Sequence, residues 1–482
     1  MATTVTARNW TGIVGTRSLT EGEVHPDIDP GTGEVIAQLT LSSIQSVDDA
    51  LNTARSVFDR NWSKVDLPAR ADLLRSMSQR ILDHSEELAR LESLDTGKPI
   101  REARVDAWVA SRYFRFYANC IETLGGEALI SRDDLFAYTL RQPIGVTAHI
   151  IPWNYPLQIA SRSITPSLAA GNCLVLKPST EAPLTSIRLG ELALEAGFPP
   201  GVVNVVLGRG GEVGAHLAGS QRVGKISFTG SLEIGRVVAK AAADNVVPAT
   251  LELGGKSANV VFADADLSLA TPVIANSILQ NCGQSCVAGS RLIVDRAVEE
   301  ELVGALAAHF RSRTLGHGVD DPDVGPLISE HQRAIVSDYV NEARSSTRLV
   351  CGGERPRGEE YDGGFYYRPT ILSDVDPKSR LAQEEVFGPV LAVTGFSDED
   401  DAIELANATE YGLAGAIWTR DLARAHASAR RMEAGTVYIN GFGVGGGVEM
   451  PSGGFKKSGY GREKGFEAIR EFTQLKSVQV RL

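Results

Sequence analysis

The sequence has little of what marks several common protein classes. Its five cysteines are scattered over 482 residues, which is too few for a disulfide framework. It has no excess of basic residues, and its net charge of −12 argues against a nucleic-acid partner because the phosphates would be repelled. No apolar run reaches the ~18 residues that span a membrane, and the N-terminus lacks the pattern of a secretory signal. We therefore expect a cytoplasmic protein without nucleic-acid or membrane partners.

Length and composition are typical of a globular protein with several domains. The chain exceeds the roughly 250–300 residues at which a single core stops growing, so two or three domains are expected. Hydrophobic residues make up 43% and charged residues 22%, and the 49 glycines are rather many.

The first part of the chain has the hydrophobic spacing of helices. A helix is expected to open at Ser46, where a carboxylate three residues later makes a near capping box. A second helical pattern runs from Pro68 to about Leu94, and the segment 95–99, DTGKP, is expected to stop it.

From Gly145 onwards, short apolar runs alternate with helical stretches. The predicted strands are GVTAHII, NCLVLK, GVVNVV, KISF and ATLEL, followed after Arg291 by RLIVD, LAVTGF, LAGAIWT and GTVYIN. Strands at this spacing are typical of βαβ units in a parallel sheet. The pattern indicates two α/β layers, one on each side of the loop around Cys286.

Two glycine-containing segments resemble phosphate-binding turns. Gly441 to Gly446 match G-x-G-x-x-G, but this turn must open a helix, and the following VEMPSGGF cannot start one cleanly. We therefore predict a loop there. Gly230 and Ser231 lie between the strand KIS and the helical stretch GRVVAKAAA. They form either a phosphate-binding turn or an ordinary turn with a helix cap.

The cysteine pair in NCGQSCVAGSR, Cys282 and Cys286, has three possible roles. A zinc site is weakly supported, because the next histidine, His309, has no second histidine a few residues on. No metal is expected. A buried thiol is the usual state of a cysteine. A nucleophile is the third possibility, since small residues around Cys286 leave it open to an incoming carbonyl.

Two further polar side chains follow predicted strands. Glu252 ends the strand in LELGG, where a carboxylate beside a crevice suits general-base work, although a solvated or salt-bridged glutamate is more usual. Asn154 stands between the prolines of PWNYP, so its amide is either a rigid oxyanion-hole donor or a cap of its own turn. Together with a thiolate, these groups suggest acyl chemistry.

Eight motifs occur in a specific order along the chain. They are PWNYP, VLKPS, SFTGSLEIG, LELGGKS, GQSCVAG, EEVFGPV, YGLAG and PSGGFKKSGYGRE. The order of these motifs, and the number of residues that separate Glu252 from Cys286, match those of the aldehyde dehydrogenase superfamily. The chain therefore resembles that superfamily. The resemblance covers nearly the whole chain, from about Thr40 to the end, and the combined motifs are highly specific.

The resemblance implies an α/β fold with two doubly wound domains and a small β oligomerisation arm. The implied segments are 1–124 and 143–252 for the cofactor-binding domain, 253–440 for the catalytic domain, 125–142 and 470–482 for the arm, and 441–469 for a return to the cofactor domain and the active-site tunnel. A homodimer or homotetramer is expected.

The resemblance also implies a mechanism. Cys286, as a thiolate, attacks the aldehyde, and the Asn154 amide with the backbone N–H of Cys286 holds the oxyanion. One such donor is typically worth ~2.7–4 kcal/mol. Hydride transfer to the nicotinamide leaves a thioester, which is hydrolysed by water that Glu252 activates.

The cofactor is expected to be NAD or NADP, with NAD slightly favoured. The implied cofactor-binding residues are Ile151, Trp153, Lys177, Ser179, Thr180, Gly210, Gly230, Ser231, Leu253, Glu385 and Phe387. In the family, Lys177 reaches the adenosine ribose, Ser231 the pyrophosphate and Glu385 the nicotinamide ribose. Thr180 stands where strict NAD enzymes carry a carboxylate, so we expect NADP to be usable.

The substrate is an aldehyde whose class the sequence leaves open. The implied tunnel positions are Tyr155, Ile159, Arg162, Ser285 and the loop 442–448. Tyr155 and Ile159 indicate an apolar or aromatic wall. Arg162 could meet a carboxylate, although an arginine on a helix is more often a surface group. The alternatives are a CoA-acylating relative, which usually lacks the glutamate at position 252, and a non-catalytic binding or structural protein on this scaffold.

Cys282 is expected to be a packing residue. A sharper hypothesis is that it forms a reversible disulfide with Cys286 under oxidation. This requires the loop to bring the two Cβ atoms to ~3.5–4.5 Å.

Overall fold

The computed structural model describes residues 8–129, 132–443 and 447–482. Its helices are α1 (Ile44–Arg60), α2 (Leu67–Asp83), α3 (Ser85–Thr96), α4 (Ile100–Cys120), α5 (Pro156–Ala170), α6 (Leu184–Glu195), α7 (Ala215–Gly219), α8 (Leu232–Asp244), α9 (Leu267–Leu279), α10 (Glu299–Arg311), α11 (Glu330–Ala343), α12 (Arg380–Gln383), α13 (Glu399–Asn407), α14 (Leu422–Arg431) and α15 (Gly465–Glu471). Among these residues, no helix is both long and apolar enough to cross a bilayer.

The strands form two large sheets and three small ones. They are β1 (Asn9–Thr11), β2 (Ile13–Val14), β3 (Arg17–Ser18), β4 (Val24–Ile28), β5 (Val35–Thr40), β6 (Leu135–Pro143), β7 (Val146–Ile150), β8 (Cys173–Lys177), β9 (Val203–Val205), β10 (Lys225–Thr229), β11 (Ala249–Glu252), β12 (Ala258–Val261), β13 (Arg291–Asp295), β14 (Arg348–Cys351), β15 (Thr370–Ser373), β16 (Val390–Phe396), β17 (Tyr411–Gly412), β18 (Ala414–Trp418), β19 (Thr436–Ile439), β20 (Phe455–Lys456), β21 (Gly459–Tyr460) and β22 (Thr473–Arg481).

The first large sheet has the order β21-β11-β10-β7-β8-β9-β2-β3. Its central strands, from β11 to β9, are parallel, and antiparallel pairs flank them. Every residue of β7, β8 and β10 is buried. Strands buried on both faces need helices on both sides, which explains their continuous apolar runs.

The second large sheet has the order β14-β15-β16-β13-β12-β18-β19. All of its strand pairs are parallel except the edge pair β14–β15. Two apolar clusters pack against this sheet: one contains Leu292 and Trp418, the other Ile293 and Ile417. Neighbouring residues of a strand thus fall into different clusters because side chains alternate between the faces. The predicted α/β class with two doubly wound layers is confirmed.

The chain crosses between the two sheets beside Glu252. Strand β11 of the first sheet ends at Glu252, and β12 of the second begins at Ala258. Later, β21 returns to the first sheet and pairs Gly459 with Glu252. The end of β11 therefore lies at the junction of the two layers.

A separate two-stranded sheet joins β6 to the C-terminal strand β22. The strands are antiparallel and pair continuously from Leu135 with Arg481 to Pro143 with Thr473. The two segments that the resemblance assigns to an arm are therefore hydrogen-bonded partners.

Two helix boundaries differ from the sequence prediction. Helix α1 begins at Ile44 rather than Ser46, because the Ser43 hydroxyl caps it by accepting the Ser46 N–H at 3.1 Å. The predicted helix from Pro68 to Leu94 is two helices, α2 and α3, which break at His84. A break of this kind hardly changes the spacing of the apolar residues along the chain, so the periodicity of the sequence predicted one continuous helix.

The G-x-G-x-x-G match is only partly described. Val444 to Gly446 lie outside the described residues, and 441–443 are not helical. From 447 to 464 the described chain also contains no helix, which agrees with the predicted loop.

Candidate active site

Two cavities meet at Asn154, Glu252 and Cys286. The first, of about 250 Å³, and the second, of about 230 Å³, are both lined by all three residues. These side chains come from three different segments, which are the loop after β7, the end of β11 and the loop after α9. Carboxyl ends of parallel strands lie at one edge of a sheet, so Asn154 and Glu252 lie at the same edge although β10 separates β7 from β11.

The loop that carries Cys286 is fixed by unusual backbone and by buried hydrogen bonds. Asn281 and Cys282 have left-handed φ angles of 47° and 54°. The Gln284 side chain donates to the Asn281 carbonyl at 3.0 Å and accepts the Ile328 N–H at 2.8 Å. Such strain persists where the surroundings determine it. With this backbone conformation, Cys282 lies in the core and Cys286 is partly exposed.

Burial raises the pKa of the Cys286 thiol to about 11. Arg162 and Lys464 act in the opposite direction, while Glu385 and Glu252 raise it further. The nearby cations therefore favour the thiolate, which is the nucleophilic form.

Asn154 is held against the cysteine loop rather than in its own turn. Its Nδ2 donates to the Gln284 carbonyl at 2.9 Å, and its backbone carbonyl accepts from Asn281 Nδ2 at 2.9 Å. No hydrogen bond of its side chain to its own turn occurs among the described residues. An NH₂ group has two hydrogens, so one remains for an oxygen in the cavity.

Glu252 is a buried carboxylate whose surroundings disfavour its charged form. Burial and the neighbouring Glu463 raise its pKa to about 8, against the effect of Arg162. Its Oε1 has no hydrogen-bond partner among the described residues. A carboxyl with a pKa near the working pH can exchange protons efficiently.

The first cavity is lined by five predicted cofactor residues. They are Trp153, Gly230, Ser231, Glu385 and Phe387. Trp153 meets Phe387 edge to face, with ring centroids 5.4 Å apart. Phe387 has a left-handed φ of 56°, and Gln332 donates to its carbonyl at 3.0 Å. The two rings give this cavity an aromatic wall.

Glu385 is fitted closely to the glycines that follow Glu252. Its Oε1 accepts the Gly255 N–H at 3.0 Å, and burial raises its pKa to about 7. A Cβ at position 254 would lie 2.2 Å from Glu385 Oε2, and one at position 255 would lie 2.4 Å from the Cys286 carbonyl oxygen. The two glycines of LELGG therefore allow both Glu385 and the cysteine loop to approach the strand end.

Comparison with known proteins identifies the family. The aldehyde dehydrogenase family profile matches residues 18–478. The chain belongs to the aldehyde dehydrogenase family. The betaine aldehyde dehydrogenase of Bacillus subtilis (strain 168) is 42% identical over 95% of this chain and 94% of its own length. The NADP/NAD-dependent aldehyde dehydrogenase PuuC of Escherichia coli (strain K12) is 41% identical over 96% and 93%.

A solved structure agrees with the family assignment. The betaine aldehyde dehydrogenase from Staphylococcus aureus, in complex with NAD+, is 38% identical. It aligns with a TM-score of 0.96 over 98% of this chain and 95% of its own.

The other predicted cofactor residues of this aldehyde dehydrogenase do not line the first cavity. Ile151 and Leu253 are buried just after β7 and β11. Lys177 ends β8, and burial lowers its pKa to about 8. Ser179 donates to Glu181 at 3.3 Å, and Thr180 lies between them. Gly210 is exposed at the start of the π-helical segment Gly210–Gly214, whose Gly214 approaches the Lys177 side chain.

Ser231 takes up the role of a helix cap. Its hydroxyl accepts the Ile234 N–H at 3.4 Å at the start of α8. It also lines the first cavity. The two interpretations of this turn are therefore compatible.

The second cavity contains the predicted tunnel positions Tyr155, Ile159, Arg162 and Ser285. Arg162 is buried and forms an ion pair with Glu463, so it is not a surface group. Of the predicted loop 442–448, Gly443 and Gly447 line this cavity, and 444–446 lie outside the described residues. Tyr438, Met450 and others add to the wall, which is mixed in polarity.

Sequence reasoning missed several residues that lie close to Asn154, Glu252 and Cys286. Glu463 ends the last motif and Lys464 follows it, and Thr229, Gly254 and Gln332 line the first cavity. Glu463 Oε1 accepts the Ser227 hydroxyl at 3.1 Å. The motif GYGRE could have indicated Glu463, but nothing local shows that it lies beside Glu252. In the described ranges, no group of three or more His, Cys, Asp or Glu could hold a metal ion.

Proposed function

We propose that this chain oxidises an aldehyde to the carboxylic acid with NAD or NADP, using Cys286 as nucleophile, Asn154 as oxyanion donor and Glu252 as base. One observation carries the proposal: the three side chains lie at the junction of two cavities. A reacting carbon at this junction is accessible to a cofactor from one side and an aldehyde chain from the other.

The first cavity suits a nicotinamide dinucleotide. Its aromatic wall matches a flat ring, and the buried Glu385 carboxylate could accept ribose hydroxyls. When bound there, the cofactor would supply a hydride acceptor. We assign Gly230 and Ser231 to the pyrophosphate, and Lys177, Ser179 and Thr180 to the adenosine ribose. Ile151, Gly210 and Leu253 would form the surrounding walls. The relatives with NAD or NADP in their names support this assignment.

The remaining steps use the chain's own groups. The Cys286 thiolate forms a bond to the carbonyl carbon, and the oxyanion accepts from the Asn154 amide and the Cys286 N–H. Loss of hydride leaves a thioester on Cys286. Glu252 then takes a proton from water, which attacks the thioester, and the C–S bond breaks to release the acid.

The first step requires the Cys286 thiol to lose its proton. The pKa of Cys286 lies above that of Glu252, so transfer of the thiol proton to Glu252 is uphill. The positive charges of Arg162 and Lys464 stabilise the thiolate once it has formed, and they stabilise the Glu252 carboxylate as well.

The experiment follows cofactor reduction spectroscopically with several aldehydes, with and without CoA. Cys286→Ala should abolish aldehyde oxidation while cofactor binding survives, because a covalent path needs its nucleophile. Cys282→Ala is the matched control and should stay active. A Cys286→Ala variant that oxidises aldehydes would contradict the proposal, and reduction that requires CoA would favour the acylating reaction. Betaine aldehyde, named in two relatives, belongs in the panel.

We also propose a domain organisation and a mode of subunit assembly. We assign the first large sheet, with 1–124 and 143–252, to a cofactor domain and the second, within 253–440, to a catalytic domain, with 441–469 returning to the tunnel. We assign β6 and β22, within 125–142 and 470–482, to an arm that joins subunits of a homodimer or homotetramer. The cytoplasmic location stays a prediction from the sequence.

A further inference from the structure

Lys464 brings a positive charge to the second cavity beside the reacting groups. It lines this cavity together with Cys286 and Glu252, and its charge acts on both of them. Its backbone is left-handed, with a φ of 60°. A lysine in this conformation is strained, and such strain at a cavity is a reason to look for function.

The other ionisable groups around the second cavity are neutral or paired. Arg162 is neutralised by Glu463. The pKa of Glu252 is raised to about 8 and that of Cys286 to about 11, so both favour their uncharged forms near neutral pH. Tyr155 and Tyr438 also have raised pKa values, because both are buried.

Lys464, unlike Arg162, is not paired with a carboxylate in the part of the chain that the structure describes. Among the described residues, no carboxylate lies within ion-pair distance of its ammonium group, although the lysines 98, 225, 456 and 457 all have one. Burial and Arg162 lower the pKa of Lys464 to about 8, which still leaves most of it charged at neutral pH. Of the described residues that line this cavity, Lys464 alone therefore carries a positive charge without a paired carboxylate.

We propose that Lys464 selects aldehydes that carry an anionic group, such as a carboxylate or a phosphate, a few bonds from the aldehyde carbon. An ammonium group in a partly desolvated site attracts a compact anion strongly and repels a cation. The anion must be close to the aldehyde because Lys464 and Cys286 line the same cavity of about 230 Å³. A trimethylammonium aldehyde is disfavoured for the same reason. This inference rests on the proposed function.

A competing role for Lys464 is to stabilise the Cys286 thiolate. That role would affect every aldehyde equally, because the thiolate attacks them all. Selection by charge instead changes the ratio between anionic and uncharged aldehydes of the same length. The ratio therefore separates the two roles.

The experiment measures kcat/KM for butanal, for 4-oxobutanoate, for an aldehyde phosphate and for a trimethylammonium aldehyde. Wild type should prefer the anionic aldehydes over butanal by roughly tenfold or more, as expected for a hydrogen bond to a charged group. Lys464→Met should reduce this ratio to about one, and Lys464→Arg should retain most of it. Lys378→Met, a change of an exposed lysine, is the control and should leave the ratio unchanged.

Two outcomes would overturn the inference. One is a ratio that Lys464→Met leaves unchanged; the other is an equal loss with every aldehyde, which would assign Lys464 to thiolate stabilisation. Inhibition by succinate gives a second readout, and Lys464→Met should weaken it. Oxidation of butanal by wild type tests the proposed function separately, since this aldehyde has no charge for Lys464 to bind.

Discussion

At the scale of single residues, the proposed base Glu252 is a carboxylate that the fold buries. Glu252 lies beside Glu463 and Arg162, and its pKa is raised to about 8 by burial first and by Glu463 second. A base acts when deprotonated, so thioester hydrolysis should increase as the pH rises through this value. We therefore expect the neighbours of Glu252 to set the pH range of thioester hydrolysis.

The first prediction concerns Glu463. Glu463→Gln removes a negative charge next to Glu252 and leaves Arg162 without its partner, and both changes favour the Glu252 anion. The pKa of Glu252 should fall, and the rising limb of thioester hydrolysis should move to lower pH by roughly one unit or more. The measurement is the pH profile of the steady-state rate under conditions where hydrolysis limits it. Glu467→Gln, on the exposed face of α15, is the control. A limb that stays in place or moves to higher pH would contradict this prediction.

The second prediction concerns Glu252 itself. Glu252→Gln keeps the shape but cannot accept a proton from water. Rapid mixing should show a burst of reduced cofactor of one equivalent or less per site, followed by a steady-state rate lower by ~10²–10⁴-fold. Unimpaired turnover would exclude Glu252 as the base.

At the scale of elements, the loop between β8 and α6 is expected to determine cofactor choice. Thr180 follows Ser179, whose hydroxyl donates to Glu181, and the Glu181 carboxylate interacts with the Lys177 charge. A carboxylate here accepts from ribose hydroxyls and repels a 2′-phosphate. Glu181 is one position away from where strict NAD enzymes carry it, so its effect should be weaker.

The third prediction follows from this loop. Wild type should use both cofactors, with kcat/KM favouring NAD by about tenfold. Thr180→Glu should strengthen the preference for NAD, while Ser345→Glu, an added charge on a distant exposed turn, should not. A wild-type preference of about a thousandfold, or roughly 4 kcal/mol, would mean that Glu181 already does this work.

At the scale of the whole molecule, the two-stranded sheet of β6 and β22 presents an apolar face. Phe136 pairs with Val480, Tyr138 with Val478, and Leu140 with Lys476, so these side chains share one face. Phe136, Leu140 and Val480 are 41%, 39% and 42% exposed. A two-stranded sheet alone is marginally stable in water, so this face is expected to pack against another subunit.

The fourth prediction tests this face. A Phe136→Asp and Val480→Asp double variant should lower the molar mass measured by light scattering or sedimentation, because two buried carboxylates would face the partner. Gln479→Asp, on the opposite face of β22, is the control. An unchanged mass in the double variant would place the subunit contact elsewhere.

The sequence by itself determined the local features of this protein. The apolar runs predicted β7 to β11 of the first sheet and β13, β16, β18 and β19 of the second, because buried strands require continuous apolar residues. They did not predict β12, which lies between β13 and β18, or β15, which lies beside β16. The motifs also pointed to Cys286, Glu252 and Asn154, since each lies in a segment whose residue types already suit one chemical task.

Only the tertiary structure decided how distant segments meet. It placed Asn154, Glu252 and Cys286 at the junction of two cavities, paired Arg162 with Glu463, and brought Lys464 into the cavity that Cys286 lines. Periodicity and local motifs describe neighbours along the chain, whereas the pKa of a buried group depends on charges from other segments. The return of β21 to β11 brings Glu463 and Lys464 to Glu252, and no local pattern records that pairing.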